Sequence, residues 1–191
     1  MNDAEIFDAL KQSGAIRTGH FQLTSGLHSD TYVQCARVLE FPDVTTQLAR
    51  EMATRLPVTL NPDLVIAPAV GGIIIGFAVA QALDTRFIFS ERQDGKMTLR
   101  RAFEIPADAR VLVVEDVVTT GGSVQEVIDL IDAAGATCVG VTSLIDRGGD
   151  LRFDADYYPL LPMKVEAWDP TECVQCKNGV PIDSPGSRRL S

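Results

Sequence analysis

The chain has 191 residues, a formal net charge of −9, 46% hydrophobic residues and 23% charged residues, proportions that suit one soluble globular domain with a sizeable core. No apolar run reaches the roughly 18 to 20 residues that span a bilayer; the stretch 65–83 comes nearest and is interrupted by Pro68, Gly71, Gly72 and Gly76. An acidic chain without a Lys/Arg-rich stripe cannot displace counterions from a polynucleotide, which excludes nucleic acid as an expected partner, while backbone amides and one or two local cations still suffice for a small anion.

In chain order, Met1 to Glu5 offer no basic, apolar leader, so the expected location is the cytoplasm. Residues 3–12 place Ile6, Phe7 and Leu10 on one face of a short helix that Gly14 stops. Residues 21–23 and 31–33 have strand character and flank Ser25-Gly26, as in a hairpin. Pro42 opens a helix with Val44, Leu48, Met52 and Leu56 on one face, and Pro57 and Pro62 bound a turn. The middle then alternates. A strand at 64–67 leads through a glycine loop at 69–72 into an apolar helix at 73–83. A strand at 86–90 leads into a polar loop at 91–99. A strand at 110–114 leads through a loop at 117–122 into a helix at 123–134, capped by Ser123 and ended by Gly135, and a buried strand follows at 137–144. Strand, loop, helix repeated in this way predicts an α/β fold, a parallel sheet with helices on both faces. Ligands of such sheets bind at the carboxyl ends of the strands, here after Ala67, Val114 and Leu144.

The strongest chemical signal is Val111-Leu112-Val113-Val114-Glu115-Asp116-Val117-Val118-Thr119-Thr120-Gly121-Gly122-Ser123. An apolar strand ends in two acids, a tight loop follows, and a helix begins. Gly121 and Gly122 let the backbone approach a ligand and adopt positive φ. Free amides and the dipole at the helix start attract an anion, and Thr119, Thr120 and Ser123 add hydroxyl donors. Glu115 and Asp116 would repel a phosphate; they suit neutral hydroxyls, such as those of a ribose whose 5′-phosphate sits in the loop. No Gly-Lys-Ser/Thr of a Walker loop and no Gly-x-Gly-x-x-Gly is present.

This segment resembles the signature of type I phosphoribosyltransferases. The longer likeness, over nearly the whole chain, is to the orotate phosphoribosyltransferase family in its short bacterial branch. Residues 19–32 are similar to that family's N-terminal hood, Ala67-Pro68-Ala69-Val70-Gly71-Gly72 to its pyrophosphate loop, and Asp146-Arg147-Gly148 to the turn that holds its orotate-contacting arginine. The end of the chain, from Pro170 through Cys173, Cys176 and Pro185-Gly186-Ser187-Arg188, is similar to the branch's tail. The resemblance implies a single domain over 1–191, with a hood of about residues 1–40 plus part of the C-terminal segment and a core of about 41–150. It implies transfer of a 5-phosphoribosyl group from 5-phosphoribosyl-1-pyrophosphate to orotate, with Mg2+ carried mainly on the donor's pyrophosphate, in a homodimer. The same fold also serves other bases and non-catalytic donor-binding regulators.

Carried over by position, Glu115, Asp116, Val117, Val118, Thr119, Thr120, Gly121, Gly122 and Ser123 would bind the donor, and Thr119 and Arg147 would contact orotate. An arginine suits that task because its planar fork pairs bidentately with a carboxylate. Ser25, Gly26 and Tyr32 match positions lining the base pocket, and Gly71, Gly72 and Arg92 are further candidates. Residues 91–99 match the family's mobile catalytic loop, in which Lys96 would meet the leaving pyrophosphate while Asp116 serves the reacting sugar. The better-known branch carries lysines where this chain has Gly71 and Thr24. Of the four cysteines, Cys35 and Cys138 read as buried thiols. Cys173 and Cys176 supply half of a zinc set, and besides the other thiols only His20 and His28 are available; their Pro-flanked setting favours structural packing, with no metal expected.

Overall fold

A computed structural model describes residues 1–185; residues 186–191, which include the end of the Pro185-Gly186-Ser187-Arg188 run, lie outside the described residues. The elements in order are α1 (Asp3–Gln12), β1 (Ile16–Gln22), β2 (His28–Val33), α2 (Ala36–Leu39), α3 (Pro42–Arg55), β3 (Leu64–Pro68), α4 (Gly72–Ala82), β4 (Arg86–Gln93), β5 (Lys96–Leu99), β6 (Arg110–Val118), α5 (Gly122–Ala133), β7 (Thr137–Asp146), β8 (Tyr157–Pro162) and α6 (Val174–Lys177). None of the described helices is long and apolar enough to cross a membrane.

A six-stranded sheet in the order β5-β4-β3-β6-β7-β8 forms the centre. All pairings are parallel except β4 with β5. Unbroken apolar runs are what a strand covered on both faces requires, and β6 shows why. Leu112 and Val114 join the core beneath α3 and α4, with Val65, Leu48, Met52, Ile75 and Val79. Val111 and Val113 point the other way, into the core beneath α5, with Leu64, Ile66, Val124, Val127 and Ile131. The alternation of side chains along a strand thus feeds two cores from one segment. Helix α3 begins with Pro42 in its first turn, as expected. The capping box of Asn2 and Glu5 fixes the start of α1.

A separate two-stranded antiparallel sheet joins β1 and β2, with an irregularity between Thr18 and Phe21. The C-terminal segment clasps this hairpin from both sides. Trp168 and His28 exchange backbone hydrogen bonds of 2.8 Å each, and the Asp183 amide donates to the His20 carbonyl at 2.8 Å. The Asp183 carbonyl accepts from Gln22 at 2.9 Å, so the chain is held as far as this point. Ser184 donates to the Gln22 side chain at 3.1 Å.

Four expectations change. The polar loop at 91–99 is instead a β-hairpin: β4 runs on to Gln93, and Glu91, Arg92 and Gln93 pair with Thr98, Met97 and Lys96. Asp94 and Gly95 turn it with φ of 52° and 80°, the left-handed pair that a two-residue hairpin demands, and Met97 is buried. Strand β6 extends past both acids to Val118, because it stays paired with β7 through Glu115–Ser143, Val117–Ile145 and Val118–Asp146. The cap of α5 is Gly121, with φ 74° and no side-chain cap bond, so Ser123 lies inside the first turn. Strand β8 was not expected; Pro159 and Pro162 disguise it, and both are tolerated because β8 is the sheet's edge.

Candidate active site

Strands β3, β6 and β7 are neighbours, so the three segments singled out by their position after strand ends meet along one edge of the sheet. Glu115 is buried at the end of β6, where its Oε1 accepts from the Asp116 amide at 3.0 Å. Asp116 turns its Oδ1 to the Val117 amide at 2.9 Å. Burial, then the adjacent Asp116 charge, push the Glu115 carboxyl well above the usual carboxylate range.

The glycine loop between β3 and α4 lies directly against these acids. A Cβ on Gly71 would come within 2.7 Å of both Asp116 carboxylate oxygens. One on Gly72 would stand 3.1 Å from Glu115 Oε1 and 3.1 Å from the Val114 carbonyl. A lysine at position 71 would therefore require the Asp116 side chain to swing away. Glycine here is the condition for backbone and acids to share the space.

Beyond β6, Thr119, Gly121, Gly122 and Ser123 line a small polar cavity together with Glu115, Val117, Val118 and Val124. The first amides of α5 have no carbonyl one turn back to bond, and the helix dipole adds to their pull on an anion. Gly121 is doubly constrained. Its φ of 74° disfavours a side chain, and a Cβ would stand 2.4 Å from the Phe153 ring. Phe153 and the Arg152 amide, which donates to the Thr120 carbonyl at 2.9 Å, brace the loop from outside. Nothing in the sequence around Phe153 signalled this role.

Arg147 follows β7. Its amide donates to the Val118 carbonyl at 2.9 Å and its carbonyl accepts from Val165 at 3.3 Å, which fixes the backbone beside the end of β6. Its Nε is buried without a hydrogen-bond partner among the described residues. Burial pulls its pKa down, while Tyr32 and Cys35 nearby act the other way. The buried Cys35 thiol donates to the Asp116 carbonyl at 3.5 Å. Burial pushes its pKa well up, assisted by the charges of Asp116 and Glu115 and opposed by Arg147. Cys35 therefore lies among the acids, Arg147 and Tyr32. By sequence it reads only as a buried thiol, and no motif marks it.

Other candidates stand apart. Ser25 and Gly26 form the tip of the β1–β2 hairpin, where the Gly26 amide bonds the Leu23 carbonyl at 2.8 Å and the Ser25 hydroxyl accepts from Leu27 at 3.4 Å. These bonds close the turn on itself. The Arg92 guanidinium is engaged by Glu126 of α5 at 2.8 Å and by the Gly95 carbonyl at 2.9 Å. Lys96 is exposed opposite Gln93 at the start of β5, with no ion pair among the described residues.

The model of the phosphoribosyl transferase domain matches residues 43–172. An orotate phosphoribosyltransferase of Chlorobium phaeobacteroides is 47% identical, covering 98% of this chain and 97% of that protein. The chain belongs to the orotate phosphoribosyltransferase family. A second such relative, from Heliobacterium modesticaldum, is also 47% identical, over 98% of this chain and all of that protein (100%). Among solved structures, the orotate phosphoribosyltransferase of Aeropyrum pernix superposes with a TM-score of 0.71 at 24% identity, over 81% of this chain and 92% of that one. An adenine phosphoribosyltransferase superposes at 0.64 with 17% identity, over 80% of this chain and 99% of that one. These two likenesses speak to the fold. They agree with the parallel sheet and flanking helices found here.

For this member of the orotate phosphoribosyltransferase family, the raised Glu115 pKa sets a stability test. An acid whose folded pKa lies above its unfolded value favours folding fully below the unfolded value, about 4.3, and the contribution is lost as pH rises through the folded pKa. Without ligand, Glu115→Gln should therefore gain stability relative to the parent as pH rises from about 4 to 7. Denaturant unfolding at both pH values checks this. A gap that stays constant or shrinks would mean that the carboxyl is not strained.

Proposed function

We propose that the chain transfers the 5-phosphoribosyl group of 5-phosphoribosyl-1-pyrophosphate to orotate, releasing pyrophosphate and orotidine 5′-monophosphate. Family membership supports the reaction. The observation that carries the choice of base is the buried, unpartnered Nε of Arg147 beside Tyr32, at the strand edge that bears the acids and the phosphate loop. A buried unpaired donor is costly, and a planar carboxylate on the base relieves it bidentately.

Residues 119–123 hold the 5′-phosphate with backbone amides and hydroxyls. Glu115 and Asp116 accept hydrogen bonds from the ribose hydroxyls. A hydroxyl donated to Glu115 stabilises its charged form and draws the raised pKa back down. Gly71 and Gly72 leave their backbone open to the pyrophosphate. The base nitrogen attacks the anomeric carbon, the bond to pyrophosphate breaks with its electron pair leaving on oxygen, and configuration inverts. The protein's share is to align the two reactants and to keep out water, the competing nucleophile.

Mg2+ belongs to the same proposal. Glu115 and Asp116 are too few to fill an octahedral oxygen shell, which fits an ion held mainly by the donor's oxygens and water. With Gly71 bearing no side chain, the space before Asp116 stays open to it. When bound, the ion supplies charge neutralisation on the leaving group. Lys96 is the proposed protein cation for that group. The cytoplasmic location is part of this reading as well.

A homodimer is supported by α4 and the loop before it. Val70, Ile74 and Phe77 are 81%, 52% and 59% exposed at helical spacing, forming an apolar stripe continuous with the pyrophosphate loop. A second copy that presents the same stripe would cover it.

Three measurements test these assignments. Arg147→Ala should raise the orotate KM far more than the donor KM; equal effects would remove the argument for orotate. Lys96→Ala should lower kcat about 10²-fold with donor affinity retained, and unchanged turnover would discard the assignment. Phe77→Glu should shift the sedimentation coefficient from dimer to monomer, whereas a parent that sediments as a monomer refutes the interface.

A further inference from the structure

Away from the active site, the hood and the C-terminal segment bring together His20 and His28 with Cys173 and Cys176. One donor atom from each lies within 4.8 Å of all the others. The closest approaches are 3.1 Å from His20 Nε2 to His28 Nδ1 and 3.2 Å from Cys176 Sγ to His28 Nδ1. Cys173 Sγ and Cys176 Sγ stand 3.4 Å and 3.6 Å from His20 Nε2. A tetrahedron with Zn–N bonds of about 2.0–2.1 Å and Zn–S bonds of about 2.3 Å has edges of about 3.3–3.8 Å. These four separations sit at or slightly inside that range and the remaining two lie within 4.8 Å, so the four atoms can enclose one ion after a modest shift of side chains.

We propose that His20, His28, Cys173 and Cys176 form a structural zinc site that fastens the C-terminal segment to the β1–β2 hairpin.

Two independent observations point the same way. The first is the orientation of His20. Its Nδ1 lies 2.8 Å from the Val180 carbonyl, which can only accept, so Nδ1 carries the proton and Nε2 presents its lone pair to the cluster. An outer-shell carbonyl that fixes the tautomer in this way is the usual companion of a zinc-bound imidazole. The second is what the C-terminal segment lacks. Between residues 162 and 185, Cys173 alone is buried, while Val174, Val180 and Ile182 are 66%, 43% and 43% exposed. Helix α6 has four residues, too few to persist by itself. A segment without an apolar core of its own needs a staple. Its other ties are a few backbone bonds to the hairpin, hydrogen bonds from Gln175 to the Gly19 carbonyl, from Ser29 to the Glu166 carbonyl and from Ser184 to the Gln22 side chain, and the exposed Arg17–Asp183 ion pair, which contributes little.

Packing alone, the expectation from sequence, would leave at most one N–H···N bond between the two imidazoles and otherwise only weak S–H donors among the four groups. The four ligands complete the shell with no position open to substrate or water, the arrangement of a structural and not a catalytic site. The consequence reaches the base pocket indirectly. The hairpin carries Tyr32, and the same C-terminal segment bonds the Arg147 carbonyl through Val165. The metal would set the position of both without touching substrate.

The test uses the full chain, produced without a histidine tag, and reads metal and not turnover. It can therefore fail or succeed apart from the transferase assignment. Elemental analysis should find about one zinc per chain. After chelation under reducing conditions, Co2+ should restore the d–d bands of a tetrahedral site and a thiolate-to-cobalt charge-transfer band. Cys176→Ser, at the exposed member of the cluster, and His28→Ala should each weaken Zn2+ affinity beyond the about 10–100-fold that loss of an outer-shell partner produces. Chelation should lower the melting temperature of the parent and leave that of Cys176→Ser unchanged. The proposal is overturned if the reduced parent binds neither ion more tightly than the variants do, or if the native protein carries a Cys173–Cys176 disulfide in place of metal.

Discussion

Two adjacent carboxylates late in β6, Glu115 buried and Asp116 half-buried, pressed against backbone that carries no side chain, are what the rest of the structure accommodates. Moving an ionised carboxylate out of water costs several kcal/mol unless hydrogen bonds or opposite charge make it up. Glu115 receives one short backbone bond from Asp116 and little else among the described residues. The strain is stored where a ligand with hydroxyl groups can relieve it. Gly71 and Gly72 are the other half of the same constraint, since any Cβ there would invade the acids' space. Local choices that look poor for stability, adjacent acids and glycine where a helix begins, become consistent once a ligand is counted as part of the site.

Stability is unevenly distributed around this centre. The sheet supports its acids with two apolar cores that share β3 and β6. The hood shares the first core through Ile6, Leu10, Ile16 and Val38, whereas the C-terminal segment has no comparable reserve. The β1–β2 hairpin is two-stranded, a size that is marginal unless something packs on it. Its base joins the first core through Ile16 and Val33, and what packs beyond that is a segment that is itself mostly exposed. The C-terminal segment depends on the hairpin for its place, so a local cross-link matters far more here than it would in the sheet.

The sequence was legible where one segment carried both structure and chemistry. β6 announced itself by its apolar run and the turn before α5 by its glycines, and Arg147 could be placed by its position after a buried strand. Legibility failed where the deciding partner was remote. The hairpin at β4–β5 was hidden by its polar residues, although Asp94-Gly95 is a strong turn signal, because the exposed face of an edge hairpin need not be apolar. Ser123 looked like a cap because its hydroxyl suits that task; the backbone instead reached positive φ one residue before the helix, at Gly121. Cys35 and Phe153 carry no mark of their surroundings. The His–Cys cluster is the clearest case. Cys173 and Cys176 show half a ligand set by their spacing, but His20 lies 153 residues from Cys173 and only folding brings the halves together.

The order of the strands also orders the chemistry. Neighbouring strands lie about 4.8 Å apart, so β3, β6 and β7 spread their ends over about 10 Å. Under the proposed reading, β3 contributes the loop for pyrophosphate, β6 the acids for ribose and the turn for its phosphate, and β7 the arginine for the base. That sequence, leaving group, sugar, nucleophile, is the order an inverting displacement requires, since the attacking nitrogen and the departing oxygen must lie on opposite sides of the anomeric carbon. With the sugar held at β6, the two flanking strands leave each reactant only its own side. A sheet in which β3 and β7 were not both neighbours of β6 could bind the same groups and still fail to align them.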